Sequence, residues 1–266
     1  MDKNKKERAD EVLIRRGLAQ NPHKAQALIM AGLVFSKQKR IEKPGEKVGT
    51  DEPISVKEPM PYKSRGGLKL KQALKTFQVS VKGKVAADLG ASTGGFTDCL
   101  LQEGARRVYA VDVETRQLDW RLREDPRVIL INKNARYLKK ADFPDSLGVV
   151  TMDLSFISVL KVLPAVRKFL GKGHLLSLIK PQFEVGKGEV GRGGIVRDLH
   201  LHQRVLEEMV EKASLMDFML KGLSRSSLRG QKGNREYFIY WSLEKQNLDV
   251  ARIKRSIKEV VWDEKD

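Results

Sequence analysis

Five short apolar runs recur along the chain: VAADLG (Val85–Gly90), VYAVDV (Val108–Val113), VILIN (Val128–Asn132), VVTMDL (Val149–Leu154) and HLLSLIK (His174–Lys180). Helical stretches such as Leu160–Leu170 separate them. Runs of this length without polar alternation are strands buried on both faces, and strands alternating with helices build a parallel, doubly wound sheet. The predicted fold over residues 64–266 is therefore α/β and Rossmann-like, with helices on both faces of the sheet. A helix around Val205–Ala213 and a hairpin, GLSRSSLRG followed by REYFIYWSL, complete it.

The first 62 residues have a different texture. Apolar spacing predicts helices over Ala9–Leu18 and Lys24–Ala31, followed by short strands at Leu33–Phe35 and Ile54–Val56. About 60 residues make a small core, so this is an α+β module beside a larger domain. Pro53, Pro59 and Pro61 crowd the segment that follows, which marks a linker over about 57–63.

Charge narrows the partners. The 266 residues carry 51 Lys and Arg against 34 Asp and Glu, a net charge of +17. Such an excess points to a polyanion, either nucleic acid or an anionic membrane surface. It is not evenly spread: from Pro59 to Ala87 there are seven Lys or Arg and no acid, and Lys221–Arg235 is again free of acids. No apolar stretch approaches the ~20 residues of a spanning helix, and the basic start MDKNKKERADEVL has no apolar leader, so a cytoplasmic protein is expected. One cysteine, Cys99, allows neither an internal disulfide nor a cysteine-rich zinc site and is expected in the core. His200 and His202 are two apart, cannot share a helical face and have no neighbouring ligand set, so no metal is expected.

The segment with most chemistry is DLGASTGGF, Asp88–Phe96, between the first large-domain strand and its helix. A nucleotide cofactor at the carboxyl end of a parallel sheet needs a turn whose backbone approaches the ligand, and Gly90, Gly94 and Gly95 permit it. Asp112 ends the next strand 22 residues beyond Gly90, where a ribose is held in such folds. The spacing is neither the GxGxxG of dinucleotide enzymes nor a phosphate-binding P-loop, which disfavours an NAD-dependent enzyme. An ordinary tight βα turn is the alternative.

DLGASTGGFTDCLL resembles the S-adenosylmethionine loop of the FtsJ-like ribose 2′-O-methyltransferases. RADEVLIRRGLA, SRGGLKL, MDLSFIS, LIKPQFE, VGRGGIVRD and GNREYF extend the resemblance to the TlyA, haemolysin-A-like family of rRNA methyltransferases, from about residue 8 to 244. The resemblance implies a ribosomal-protein-S-four-like RNA-binding domain over 1–62, a methyltransferase domain over 64–266, and 2′-O-methylation of cytidine in the RNA of ribosomal subunits. It implies S-adenosyl-L-methionine held by Asp88, Gly90, Ser92, Gly94, Gly95, Phe96 and Asp112. It also implies a Lys-Asp-Lys-Glu site at Lys69, Asp153, Lys180 and Glu236.

Elementary chemistry supports those four. Asp153 and Lys180 end strands at the sheet edge where ligands bind. A ribose hydroxyl must lose its proton as it attacks, and a lysine can take part as a neutral amine when a second cation stands beside it. Lys69 beside Lys180 would supply that cation, while Asp153 and Glu236 would hold both lysines and oppose the effect. The alternative for each residue alone is a surface ion pair worth about 0–1 kcal/mol.

The RNA-binding candidates are Arg15, Arg16, Lys24, Lys37, Lys39 and Arg40 in the small domain, and Arg65, Arg225 and Arg229 in the large one. Phosphate-directed cations without stacking aromatics read folded RNA by shape. Five glycines in Glu184–Arg197, just after Lys180, suggest either a lid over the substrate or a loose crossover. Two other functions stay open: a non-catalytic rRNA-binding or ribosome-assembly protein, and a membrane-lytic protein, for which the sequence offers no pore-forming segment.

Overall fold

The structure is a computed structural model and describes residues 6–58, 60–244 and 249–263. It divides into two compact units, Met1–Met60 and Pro61–Asp266. Pro59 of the predicted linker and the first five residues, read above for a leader, lie outside the described residues.

In the smaller unit, β1 (Lys6–Arg8) leads into helices α1 (Ala9–Arg15) and α2 (Pro22–Met30), followed by β2 (Val34–Ser36), β3 (Lys39–Arg40), β4 (Lys47–Gly49) and β5 (Ile54–Val56). Asn21 caps α2 by accepting from the Lys24 amide, with Pro22 in the first turn where its missing N–H costs nothing. Strand β1 pairs with β4, and β2 stands between β3 and β5, all antiparallel. Lys37 and Gln38 both have positive φ, the geometry of a two-residue turn that matches strand twist. Ala9, Val12, Leu13, Ala25, Ile29 and Val34 form the core.

The larger unit begins with α3 (Arg65–Thr76). There follow β6 (Val85–Leu89), α4 (Gly95–Gln102), β7 (Arg107–Asp112), α5 (Trp120–Arg123), β8 (Val128–Asn132), β9 (Val149–Met152), α6 (Leu163–Val166), β10 (His174–Ile179), α7 (Leu199–Ser214), β11 (Met219–Arg225), β12 (Tyr237–Ser242) and α8 (Val250–Trp262). The sheet order is β11-β12-β10-β9-β6-β7-β8, and only β12 runs against the other six. Leu70, Leu74, Leu100 and Leu122 place α3, α4 and α5 over one face. Leu163, Leu206 and Val261 place α6, α7 and α8 over the other. The predicted doubly wound sheet is thus observed.

Local differences have local causes. The helix expected over Leu160–Leu170 is a 3-10 turn (Val159–Lys161) followed by the short α6, because Pro164 has no N–H to continue a longer hydrogen-bonded ladder. Helix α7 starts earlier than expected, at Leu199, because the Asp198 side chain accepts from the His200 amide and caps it. Helix α3 was hidden by its Gly66-Gly67 pair; Ser64 starts it by accepting from the Gly66 amide.

Asp88, near the end of β6, is fully buried. It accepts from the Thr97 hydroxyl of α4 at 2.7 Å and from the Thr151 hydroxyl of β9 at 3.0 Å. This corrects its assignment as a cofactor contact: with no accessible surface, Asp88 positions the loop instead. Burial, reinforced by Asp153 and opposed by the two threonines, pushes its carboxyl up to about 7. An unfolded aspartate titrates near 3.9, so between about pH 4 and 7 the folded state keeps a proton that the unfolded state has released, and stability falls with rising pH. Asp88→Asn removes that dependence. Urea unfolding should show the variant gaining on the wild type from about pH 4 to 7, with a constant difference above; a difference independent of pH throughout would mean that Asp88 is buried as the anion.

Candidate active site

Strand order reverses between β6 and β9, and in open α/β sheets ligands bind at the carboxyl ends beside such a reversal. Two loops meet there. Gly90 has φ +88°, and a Cβ at this position would stand 2.5 Å from the Asp153 carbonyl oxygen. Any side chain would push the DLG turn and the residue after β9 apart. Gly94 caps α4 and Gly95 opens it.

Asp112, half-buried at the end of β7, accepts from the Ser92 amide at 2.9 Å through Oδ2 and from the Glu114 amide at 3.0 Å through Oδ1. Each oxygen keeps lone-pair capacity, so the carboxylate suits a donor pair such as a ribose diol. The exposed Ser92 has φ +48° at the turn. Phe96 is only 3% exposed and stacks on Phe238 with ring centroids 6.1 Å apart. Its ring packs α4 onto β12.

The four residues of the proposed catalytic set arrive from four elements. Lys69 lies on α3, Asp153 follows β9, Lys180 follows β10, and Glu236 precedes β12. Because β12 is antiparallel and Tyr237 pairs with Ile179, the start of β12 lies at the carboxyl end of β10. Lys69 Nζ donates to Glu236 Oε2 at 2.5 Å, and both side chains are buried. Lys180 Nζ donates to Ser155 Oγ at 3.0 Å and lies 2.6 Å from Asp153 Oδ1. This last contact is an ion pair outside hydrogen-bond angles, leaving Oδ1 without a hydrogen bond among the described residues. Burial raises the Glu236 carboxyl above the usual range, Lys69 and then Lys180 pull it down, and Asp153 adds to the rise. One carboxylate therefore senses all three partners. The lysines are each matched to an acid rather than left facing each other.

Residues that sequence reasoning missed hold this cluster. A Cβ on Gly230 would fall 1.9 Å from Glu236 Oε1, so the Gly230 backbone is the wall against which that carboxylate is packed. Asn234, also buried, donates to the Gly194 carbonyl at 2.9 Å and accepts from the Val196 amide at 3.1 Å, tying down the glycine-rich stretch. His202 Nε2 meets the Val196 carbonyl at 2.9 Å, an acceptor only, so Nε2 carries the proton and Nδ1 accepts from the Tyr237 hydroxyl at 2.8 Å. His200 is exposed against the Trp262 ring, on a different face of α7. Cys99 is buried in α4. Phe156 is 90% exposed, has φ +65° and meets the Phe183 ring at 5.0 Å, one residue from Ser155. A bulky side chain held at positive φ is a strained arrangement, of order 1–3 kcal/mol, that the surrounding structure must impose.

The predicted RNA-binding residues separate into two groups. Lys24 and Lys39 are exposed. Arg15, Lys37 and Arg40 are exposed and paired with Glu7, Glu52 and Glu42. Arg65 is exposed and donates to the carbonyl of the exposed Arg229 at 3.0 Å, so these two stand together beside the Gly230 wall. Arg16 and Arg225 are half-buried and engage backbone carbonyls. Arg16 donates to the Thr50 and Glu52 carbonyls at 2.5 and 2.8 Å, holding the turn between β4 and β5. Arg225 donates to the Val260 carbonyl at 3.0 Å and to that of Asp263, capping the C-terminus of α8. Their charges answer backbone carbonyls, a requirement no run of sequence displays. No cluster of three or more metal-ligating side chains occurs among the described residues.

Gly230→Ala should displace Glu236. Glu236 and Lys69 position the neighbouring Lys180–Asp153 pair, and a misplacement of about 1 Å at a reacting centre costs about 100-fold, so if the site has the activity its motifs imply, single-turnover rate should fall by up to about that factor while cofactor binding, measured by calorimetry, stays within about twofold. A normal rate would show that Glu236 need not be held against that wall.

Comparison with known proteins gives the family. The family profile described as FtsJ-like methyltransferase matches residues 62–243. YqxC of Bacillus subtilis, named as a candidate rRNA methyltransferase, is 47% identical over 265 residues, covering 96% of this chain and 94% of its own. The 16S/23S rRNA (cytidine-2′-O)-methyltransferase TlyA of Mycobacterium tuberculosis is 41% identical over 237 residues, 88% of each chain. A solved structure from Streptococcus thermophilus that carries a hemolysin name superposes with a TM-score of 0.73 at 41% identity, over 96% of this chain and 95% of that one. By its profile, its full-length relatives and its sheet, this chain belongs to the FtsJ-like methyltransferase family, in the TlyA group.

Proposed function

We propose that this protein transfers the methyl group of S-adenosylmethionine to the 2′-hydroxyl of a cytidine in ribosomal RNA. The observation that carries this reading is the pair of ion pairs, Lys180–Asp153 and Lys69–Glu236, gathered at the carboxyl ends of β9 and β10 beside the Gly90 turn. When bound, the cofactor supplies an electrophilic methyl on a sulfonium. Gly90, Ser92, Gly94 and Gly95 would cradle it, and the free lone pairs of Asp112 would accept from its ribose.

The chain's own residues then have two tasks. One is alignment: the hydroxyl must sit in line with the methyl, a positional effect worth up to about 7–11 kcal/mol in ideal cases. The exposed Phe156, with its Phe183 neighbour, offers a face on which the target base can stack while the ribose reaches Ser155 and Lys180. The second task is the proton. As the oxygen–methyl bond forms and the sulfur–methyl bond breaks, the hydroxyl proton passes into the Lys180–Asp153 pair, which ends as ammonium and carboxylic acid. A sulfonium donor would depart as a neutral thioether, so no residue of this chain is needed as a general acid. Lys69 and Glu236, buried and mutually neutralised, hold the wall behind.

The unit over residues 1–62 is, in our reading, a ribosomal-protein-S-four-like domain. It would grip phosphates of the ribosomal subunit through Lys24, Lys39 and Arg40, with Arg65 and Arg229 doing so beside the active site. A ribosomal substrate puts the protein in the cytoplasm. Among the described residues no helix is long and apolar enough to cross a membrane, so a lytic activity has no support from the helices.

The test is transfer of radiolabel from S-adenosylmethionine to unmodified ribosomal subunits, followed by nuclease digestion and mass spectrometry. Label on a cytidine ribose oxygen is expected, and Lys180→Ala should lower its rate at least about 100-fold, with cofactor affinity near wild type. Label on a base, or none with either subunit, would overturn the reading; undiminished turnover in Lys180→Ala would remove Lys180 from it.

A further inference from the structure

The amino end of the same sheet, remote from the site above, carries a feature that methyl transfer does not use. The turns before β6, β9 and β10 line an open depression of about 590 Å³, with Lys84, Lys140, Lys168 and Lys172 on its walls, His174 at its edge and no carboxylate among the lining residues. Lys140, Lys168 and Lys172 are exposed. The stem of Lys84 lies along Gly148, where a Cβ would meet Lys84 Cδ at 2.9 Å. A second depression shares Gly171–His174 and adds Lys221, whose ammonium lies 5.4 Å from the centre of the Tyr240 ring. Its one acid is Glu244.

What distinguishes these cations is that they gather round one concavity whose lining holds no acid. Lys71, Arg107, Arg121, Arg127, Lys133, Arg204 and Lys212 each stand within ion-pair distance of an acid. Lys84, Lys140, Lys168, Lys172 and Lys221 form no such pair among the described residues. Like charges collected round one concavity repel one another, and a run of closely spaced anions is the ligand that relieves this. His174 reports the same field: burial first, then Lys84 and Lys221, hold its imidazole below the ordinary value, and its Nδ1 is engaged by the Tyr240 hydroxyl. Phe169 is buried and no exposed ring lines the cavity, so there is no platform for unstacked bases. Phosphodiester geometry, not base identity, is what it can recognise.

We propose that this basic cavity is a second RNA-binding site, which takes the phosphate backbone of a double-stranded RNA segment. It rests on the reading that the substrate is RNA. The six residues from His174 to Ile179 along β10 span about 16 Å, so it lies well beyond the nucleotide being modified and adds affinity without touching the chemistry.

The experiment compares the full-length wild type with Lys140→Glu/Lys168→Glu/Lys172→Glu, using a labelled RNA duplex from 50 to 300 mM salt, polyglutamate as an acidic polypeptide control, and methylation of ribosomal subunits. Calorimetric cofactor binding reports folding. For the triple variant we expect duplex affinity at least about 10-fold weaker at 100 mM salt, a salt slope shallower by about 2, a raised KM and an unchanged kcat. Duplex affinity and slope equal to wild type would overturn the second site while leaving the methyltransferase reading intact. Loss of polyglutamate binding alone would instead assign the cavity to an acidic protein and equally overturn it. A wild type that binds neither duplex nor subunit would strike at the RNA reading itself. If the triple variant loses cofactor binding, Lys168→Gln/Lys172→Gln, which removes charge without reversing it, repeats the comparison with the same criteria.

Discussion

The pairing of β6 with β9 is the constraint on which the rest depends. The two strands are hydrogen-bonded in parallel register from Ala86–Val149 to Leu89–Met152, with the chain between them laid out as β7 and β8 on the far side. The reversal of strand order opens a crevice at their carboxyl ends, and the close approach of Gly90 to the Asp153 carbonyl sets its width. Asp88 ties β6 to β9 through Thr151 and to α4 through Thr97 from beneath. Moving Gly90 or Asp153 moves both the turn that would cradle the cofactor and the acid that pairs with Lys180.

A second constraint is electrostatic. Lys69 and Glu236 are 167 residues apart in the chain, both buried, and joined by a 2.5 Å ion pair. A buried ion pair of this kind contributes little net stability against an apolar pair, but removing one partner leaves a stranded charge and costs about 3–5 kcal/mol. It therefore serves geometry more than stability. It joins α3 to the start of β12 and brings the two acid-free basic runs, 59–87 and 221–235, to one place. Arg65 bonding to the Arg229 carbonyl is the outward sign of that junction.

The large fold was legible because its strands are apolar on both faces and regularly spaced, a pattern that burial alone requires. The carboxyl-end positions of Asp112, Asp153 and Lys180 followed from the same pattern, since a residue ending a parallel strand has one place to be. Lys69 was legible only as a motif. Its helix opens with two glycines, and only capping by Ser64 and packing on α4 make that segment helical. Phe96 and Asp88 sit inside the signature but face inward, because a tight turn at a buried sheet edge needs internal support as much as ligand contacts. Arg16 and Arg225 look like any basic surface residue until the carbonyls they cap are in view.

By itself, the sequence determined the α/β class, the turn built for close backbone approach, and the four polar residues offered as the catalytic set. Periodicity and glycine spacing are local properties, and burial imposes them wherever the fold occurs. Tertiary structure alone decided the partners: which lysine meets which acid, which arginines are consumed by backbone carbonyls, and where Gly230 stands against Glu236. It also decided that Lys84, Lys140, Lys168 and Lys172, scattered over some ninety residues, line one cavity. Pairing depends on the distance between side chains far apart in the chain, and no period or spacing along a sequence encodes that distance.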